Sequence, residues 1–379
     1  MKSVKAIRSV NSVRRASPVR TFPGSGDFLE LIWNGSASSR AEAARLLDLS
    51  RPTVSGMAER LLHAGILREN GRGKSSGGKP PVLLEISGDA FSSIGLDLGY
   101  EGTACGVLLD ARKRIVKHAE VSGGKGFREM LESAERLIRM LDDGKAAGVG
   151  AAVSAIVRPS DGRILESAHF DLADRPFREE LEKRSRFPVV IDNRGRMSAR
   201  SELLGGEASD GEGFVLLSLG RSIGAAVCLD GRRLYTGKNG MAGEIRNLKV
   251  GLFPSGGEAL MSLEEVMDCS FRRKNRITEK QCALYCAEGL CRILDLLDLR
   301  RIILSGRFAE FGKTFHSLLK SEMQERASCK VLLSRFGRFG AARGAAAAAV
   351  ERFVLHPGDF PPVRRNGGAS GCGGAPRLI

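Results

Sequence analysis

The chain has 379 residues, which is long for one hydrophobic core and predicts two or three domains. Its formal net charge of +15 favours a polyanionic partner such as nucleic acid. No run of about 18 apolar residues and no signal-peptide core occurs, so we expect a cytoplasmic protein without membrane contact. The eight cysteines include no Cys-x-x-Cys pair, which is typical of a reducing compartment without structural disulfides.

The N-terminal region begins with a basic stretch, residues 1–20, that has several Lys and Arg side chains and no acid. This stretch predicts a disordered arm, which either contacts a polyanionic partner or is a solvated tail. Apolar residues from Phe28 to Trp33 then predict a first helix that ends at Gly35.

Residues 39–63 predict two short amphipathic helices joined by a tight turn. Ser39 and Glu42 have the spacing of a capping box at the start of the first of these helices. Ser50 is placed to cap the second helix, with Pro52 in its first turn. The exposed face at the start of the second helix carries one cation, two hydroxyls and no bulk: Arg51, Thr53, Ser55 and Gly56.

Two apolar strands follow, Ile66-Leu67 and Val82–Leu84, and a loop rich in Gly, Lys and Arg separates them. The first turn of the second helix, which carries a cation and two hydroxyls and no bulk, can enter a major groove and hydrogen-bond to base edges. Residues 21–88 therefore predict a winged helix-turn-helix, and the alternative is a helical hairpin with a solvated basic loop. We expect the following residues to contact DNA: Arg40, Ser50, Arg51, Thr53, Ser55, Arg72, Lys74 and Lys79.

From residue 89 onwards, apolar strands alternate with amphipathic helices. Two halves, each led by a β-hairpin, predict a duplicated α/β domain with a ligand cleft between two lobes. We expect the first lobe at 89–204, completed by the alanine-rich segment 340–355, and the second lobe at 205–339. Residues 356–379, rich in Pro and Gly, predict a disordered tail, and Ser87–Asp89 predicts a hinge.

The order of six segments resembles the ROK family of bacterial sugar kinases and sugar-responsive repressors, across nearly the whole chain. The segments are GRGKSSGGKPPVLLEI (71–86), GLDLGYEGT (95–103), SLGRSIGAAVCLDGRRLYTG (218–237), AGEIRN (242–247), LSGRFAE (304–310) and GRFGAARGAA (337–346). The resemblance implies an α/β protein with an N-terminal winged helix-turn-helix and an actin-like (ribonuclease H-like), two-lobed ATPase or sugar kinase fold. It also implies a repressor of carbohydrate metabolism that binds double-stranded operator DNA as a homodimer or a dimer of dimers.

The chain departs from the family where the family's kinases carry their chemistry. The catalytic Asp of the kinases falls on Arg194, and an arginine cannot accept a proton from a sugar hydroxyl. In the segment that resembles the first phosphate hairpin, Asp97 and Gly99 are followed by Glu101, a carboxylate at the position where the family has a hydroxyl that meets a phosphate. The alternative is that Asp97–Gly99 is a tight turn without a role in phosphate binding. The resemblance therefore implies a protein that is not an enzyme and does not bind ATP.

The zinc module of the family is also missing. Its ligand positions fall on Asn247, Ser255, Gly257 and Ser262, which do not form a soft ligand set for zinc. We therefore expect no metal and no cofactor.

An effector site is implied at five residues: Asn193, Arg194, Glu244, Asn247 and Glu264. Arg194 would suit an anionic ligand such as a sugar phosphate or sugar acid, and an uncharged sugar is the third candidate effector. The alternative is a residual cleft in which Arg194 pairs with Glu244 or Asp192. Two other functions remain open: an ATP-dependent sugar kinase with an appended DNA-binding domain, and a DNA-binding oligomer that ignores ligands.

Overall fold

The computed structural model describes residues 24–74, 79–100, 102–219, 223–230, 233–252, 260–268, 277–306 and 312–356. The predicted basic arm (1–20) and residues 357–379 of the predicted tail lie outside these ranges. Within them, no helix combines the length and the apolar character that crossing a membrane requires. The six cysteines that are described are all free thiols.

The N-terminal region consists of three helices and a two-stranded antiparallel hairpin, in the order of a winged helix-turn-helix. Its elements are α1 (Gly26–Asn34), α2 (Arg40–Leu47), α3 (Arg51–His63), β1 (Leu67–Arg72) and β2 (Val82–Ile86). Helix α1 ends where predicted, because Gly35 adopts a left-handed φ of 82° that a glycine tolerates well. Ser50 caps α3 as predicted, by accepting the backbone N–H of Thr53.

The first lobe is built on a five-stranded sheet in the order β5-β4-β3-β6-β9, with β3 antiparallel to β4 and parallel to β6. Its elements are β3 (Ser92–Tyr100), β4 (Thr103–Asp110), β5 (Ile115–Ser122), α4 (Phe127–Leu141), β6 (Ala146–Val153), β7 (Ile156–Val157), β8 (Ile164–Glu166), α5 (Phe177–Ser185), β9 (Val189–Asn193) and α6 (Arg194–Leu203). Apolar residues of α4 and α5 cover one face of this sheet.

The second lobe repeats the topology of the first, in the order β12-β11-β10-β15-β16. Its elements are β10 (Phe214–Leu219), β11 (Ile223–Leu229), β12 (Arg233–Tyr235), β13 (Lys249–Leu252), β14 (Leu260–Ser262), α7 (Leu263–Met267), α8 (Glu279–Leu297), β15 (Arg301–Gly306), α9 (Gly312–Ala327) and β16 (Lys330–Leu333). When the strands of each five-stranded sheet are numbered along the chain, both sheets have the same spatial order: third, second, first, fourth and fifth. The predicted duplication of an α/β unit is therefore confirmed.

Helix α10 (Gly340–Val350) returns to the first lobe and packs between its sheet and α6. The contact is backbone against backbone: a Cβ built on Gly95 would lie 1.9 Å from the carbonyl oxygen of Ala342, and one on Gly150 would lie 1.8 Å from that of Ala345. On the other side of the helix, a Cβ on Gly344 would lie 1.6 Å from the carbonyl oxygen of Met197. Alanine and glycine are required here because no larger side chain fits between these backbones.

The N-terminal region does not have a core of its own, which differs from the hinge predicted at Ser87–Asp89. A single apolar cluster joins Phe28 and Trp33 of α1 to Val354 and Leu355, in the π-helical turn that follows α10. The Trp33 indole donates to the carbonyl oxygen of Ala111 at 3.1 Å, and the Lys113 ammonium donates to the carbonyl oxygen of Trp33 at 2.6 Å. The helix-turn-helix is therefore packed against the first lobe, because α1 and α10 bury their apolar faces together.

We expect Gly150→Ala to destabilise the fold by about 3 kcal/mol or more, because the new methyl group meets backbone atoms that cannot move aside. Gly224→Ala in β11 is the matched control, since a Cβ there meets nothing within 4 Å. Chemical denaturation of both variants measures the difference. Equal stability of the two variants would contradict the packing of α10 against the sheet.

Candidate functional site

The first candidate site is the exposed face of the helix-turn-helix. Ser39 caps α2 by accepting the N–H of Glu42 at 3.3 Å, but the predicted capping box is wrong in its second half. The Glu42 carboxylate instead accepts the N–H of Ser38 at 2.8 Å. At α3 the hydroxyls of Ser50 and Thr53 lie 2.7 Å apart, so the first turn presents a connected pair of hydroxyls to the exterior.

The charges that the sequence predicts for DNA contact fall into two groups. Four of the predicted cations are exposed and have side chains without a hydrogen bond or an ion pair in the described part of the chain; they are Arg51 at the start of α3 and Arg72, Lys74 and Lys79 on the hairpin. Arg40 differs, because its guanidinium lies 3.5 Å from the Glu69 carboxylate. Ser55 is half-buried on the flank of α3. The structure thus brings the predicted residues to one end of the molecule, and Arg40 has a competing partner there.

The second candidate site is a cavity of about 90 Å³ in the cleft between the lobes. The ends of β3, β6, β9 and β10 converge on it, as the crevice at the carboxyl ends of parallel strands does in other open α/β sheets. Three of the predicted effector residues line it: Asn193, Arg194 and Glu244.

Asn193 joins two parts of the cavity wall. Its side-chain oxygen caps α6 by accepting the N–H groups of Gly195 and Arg196, at 2.7 and 3.4 Å. Its side-chain nitrogen donates to the Ala155 carbonyl at 3.0 Å and to the Glu244 carboxylate at 3.3 Å. This cap also explains why α6 begins at Arg194.

Arg194 is buried in the cleft and bridges the two lobes. Its Nε lies 3.0 and 3.2 Å from the two carboxylate oxygens of Asp97, which is completely buried in β3. Its Nη1 donates to the hydroxyl of Ser218 in β10 at 3.2 Å. The alternative in which Arg194 pairs with Glu244 or Asp192 is therefore wrong. Arg194 pairs with Asp97, and Asp192 pairs with Arg196.

The surroundings of Asp97 also differ from the sequence prediction. The tight turn expected at Asp97–Gly99 is wrong, because β3 continues to Tyr100, which pairs with Thr103. The Gly99 N–H donates to Asp97 at 3.0 Å, and a Cβ on Gly99 would lie 2.5 Å from Arg194 Cδ. The arginine side chain therefore lies directly against the first hairpin, with its guanidinium between that hairpin and the second one.

The remaining charges of the cavity are carboxylates and one further cation. Burial raises the pKa of the Glu244 carboxyl above its ordinary value. Arg246 lines the same cavity and pairs with Glu166 at 2.9 Å. Sequence reasoning missed Glu166, Arg246 and Ser218 as cavity residues. Ser218 and Arg246 stand inside segments that the resemblance had singled out, whereas the loop containing Glu166 has no periodic pattern that could have found it.

The other two predicted effector residues, Asn247 and Glu264, line an adjoining and more open cavity of about 600 Å³. His169 borders both cavities, and its Nε2 lies 3.9 Å from the Glu264 carboxylate. The predicted set is therefore divided between two neighbouring cavities.

The described residues at the zinc-equivalent positions do not fit the metal. Asn247 offers an amide, and the hydroxyl of Ser262 caps α7 by accepting the Glu265 N–H at 3.2 Å. Neither is a thiolate or an imidazole, the ligands that a structural zinc site uses. Ser255 and Gly257 lie outside the described residues.

Comparison with known proteins finds similarity to members of one family. Residues 93–253 match the ROK family. The xylose repressor of Caldicellulosiruptor bescii is 31% identical over 230 residues, which cover 57% of this chain and 56% of that repressor. The chain thus aligns with little more than half the length of this relative. The xylose repressor of Bacillus subtilis is 23% identical over 365 residues, which cover 86% of this chain and 94% of that repressor.

Among solved structures, a ROK family transcriptional regulator, described as a homologue of the E. coli MLC protein, has a TM-score of 0.69 at 18% identity. The alignment covers 87% of this chain and 96% of that one. At this identity the likeness shows the fold alone. It confirms the two-lobed, actin-like architecture that the sequence implied.

We expect Arg194→Met to destabilise the protein by about 3–5 kcal/mol, because it leaves the buried Asp97 carboxylate without its cation. Adding Asp97→Asn to that variant should recover most of the loss. Arg163→Met is the control, since the Arg163–Asp174 pair is exposed and such pairs contribute about 0–1 kcal/mol. Denaturant titration of the four proteins measures these differences, and a cost below about 1 kcal/mol for Arg194→Met would contradict the assigned pairing.

Proposed function

We propose that this chain, which belongs to the ROK family through its domain at residues 93–253, is a DNA-binding transcriptional repressor of the cytoplasm. Its helix-turn-helix binds operator DNA, and its two-lobed domain binds a neutral carbohydrate and supports assembly into a dimer or a dimer of dimers. The domain transfers no phosphate and uses neither zinc nor ATP. The observation that carries the proposal is the pairing of Arg194 with Asp97, which converts a kinase-like cleft into a closed, internally neutralised site.

The surface charges support DNA as the partner. Most arginines of the lobes have a carboxylate partner, as Arg163, Arg175 and Arg292 do. Arg68 of the hairpin pairs with Glu85, but Arg51 of α3 and the other exposed cations of the hairpin have no carboxylate partner within the described chain, so their charge is available to phosphates. In a dimer, two copies of α3 would reach half-sites about one helical turn, ~34 Å, apart.

The geometry of Arg194 argues against phosphoryl transfer. The reaction needs a carboxylate that accepts the proton of the attacking hydroxyl, and room for phosphate groups at the hairpins. In this chain the position of that carboxylate holds the guanidinium of Arg194. The guanidinium donates to Asp97 in β3 and to Ser218 in β10, the first strands of the two hairpins. A kinase with an appended DNA-binding domain is therefore the less supported alternative.

The same pairing decides the class of effector. Arg194 would have attracted a sugar phosphate or sugar acid if its charge were free, but the buried Asp97 carboxylate neutralises it. The cavity also holds Glu244, a half-buried carboxyl whose pKa is raised, and the amide of Asn193. A carboxyl and an amide accept hydrogen bonds from hydroxyls and donate hydrogen bonds to them, and the carboxylate form of Glu244 repels anions. We therefore propose a neutral, hydroxyl-rich ligand.

DNA binding is tested by measuring affinity for a selected duplex against salt concentration. We expect the affinity to fall steeply with salt, because each neutralised phosphate releases counterion. Arg51→Ala should weaken binding to the selected site by about 1–3 kcal/mol, more than binding to random duplex, if the side chain reads a base. The control is Arg128→Ala on α4 in the first lobe, which should change neither affinity.

Effector binding is tested by thermal shift with neutral sugars, sugar phosphates and sugar acids. A neutral sugar at about 100 times its dissociation constant should stabilise the protein by about 2.7 kcal/mol. Glu244→Ala should remove that shift, whereas Glu132→Ala, on the exposed side of α4 and outside both cavities, should not. A shift with phosphorylated sugars alone would contradict the neutral ligand, and no shift with any sugar would favour the ligand-independent oligomer.

The absence of kinase activity is tested by coupled ADP release over the same sugars. We expect no turnover above background, because Arg194 cannot serve as a proton acceptor. Turnover on any sugar would establish the kinase alternative.

A further inference from the structure

Gly56 occupies a position in α3 where nothing inside the protein requires a glycine. It lies in the interior of the helix, and a Cβ built on it would meet no atom within 4 Å. Its φ is not in the left-handed range either, so an alanine would fit without strain. Glycine is among the least favourable residues in a helix interior. The reason for a glycine at this position must therefore lie outside the described chain.

Gly56 lies on the outward face of α3. The inward face is completely buried at Val54, Ala58 and Leu61. Residues three or four apart lie on the same face of a helix, which places the exposed residues Pro52, Glu59, Arg60 and His63 along the face of Gly56. The bulk-free point that the sequence indicated at Gly56 thus lies at the centre of this face, and Glu59 and Arg60 extend the face by one further turn.

Glu59 and Arg60 lie one helical turn after Gly56 on the same face, and their side chains have no hydrogen bond or ion pair in the described structure. The neighbouring hairpin behaves differently, because Glu85 there pairs with Arg68. Glu59 also lies towards the C-terminal end of α3, where a negative charge does not favour the helix dipole. A carboxylate on a face that meets phosphates would repel them, so it must point at groups that donate hydrogen bonds.

We propose that the outward centre of α3 reads the bases of the operator: the base edges approach the helix backbone at Gly56, and Glu59 and Arg60 hydrogen-bond to them. This inference rests on the proposed DNA-binding function. In the major groove a glutamate accepts from the amino group of cytosine, and an arginine donates to guanine. The expected partner is therefore a half-site with a C·G pair opposite Glu59.

The first test is Gly56→Ala, measured by affinity for the selected duplex and by thermal unfolding of the full chain. The added methyl group should weaken binding by about tenfold or more, while the melting temperature stays unchanged or rises by up to about 4 °C. Ser321→Thr, which adds a methyl group on the exposed side of α9, should change neither. Unchanged or tighter binding, or a fall in melting temperature, would overturn the role of Gly56.

The second test selects duplexes from a random pool with the wild-type chain and with Glu59→Gln. The wild type should enrich a C·G pair at one half-site position, and Glu59→Gln should shift that position towards adenine, which glutamine reads. Enrichment of one identical motif by both proteins would overturn this inference and leave DNA binding intact. If the wild type enriches no motif, the proposed function itself fails.

Discussion

Helix α10 packs against the first sheet so closely that only hydrogen fills the space between their backbones. Gly95 and Gly150 lie so close to backbone carbonyl oxygens of α10 that a Cβ atom on either residue would clash with them. Gly344 lies equally close to the backbone of α6 on the opposite side of the helix. The helix is consequently held in one position by sterics rather than by large side chains. Because the π-helical turn after α10 completes the core beneath α1, the placement of the helix-turn-helix depends on the same close contact.

Arg343 connects these packed elements. Its guanidinium is buried without a carboxylate bonded to it and donates to the carbonyl oxygens of Ser201 and Leu204, at the end of α6, at 2.8 and 3.2 Å. Burial lowers its pKa to about 10, which leaves it charged at neutral pH. Since α6 begins at the cleft cavity with Asn193, one rigid helix runs from the candidate effector site to the elements that hold α1.

The cleft holds a buried guanidinium, that of Arg194. A guanidinium would be costly if it stood alone in such a buried place. Asp97 removes that cost, and the hydroxyl of Ser218 takes a further N–H of the same group. The ion pair lies within the first lobe, and the hydrogen bond from Arg194 to Ser218 joins it to the second lobe. The two-lobed architecture is retained, and its proposed use is ligand binding rather than phosphoryl transfer.

The helices, the strands and the exposed basic face of the N-terminal region were largely predictable from the sequence. Ser50 as a cap, Gly35 as a helix end and the apolar spacing of α3 are local features, and local hydrogen bonding and periodicity decide them. The start of α6 is less evident in the sequence, since the residues from Arg194 to Arg196 offer no apolar period.

Contacts between residues far apart in the chain were decided only by the tertiary structure. Nothing local identifies Asp97 as the partner of Arg194, 97 residues away, or divides Asn193 and Glu264 between two cavities. Likewise, an alanine-rich segment predicts a helix but not the glycines against which it packs. The sequence by itself determined the elements, their duplicated order and the basic face, because these depend on neighbours along the chain. Burial and pairing in the cleft depend on which elements meet in space, and only the folded chain determines that.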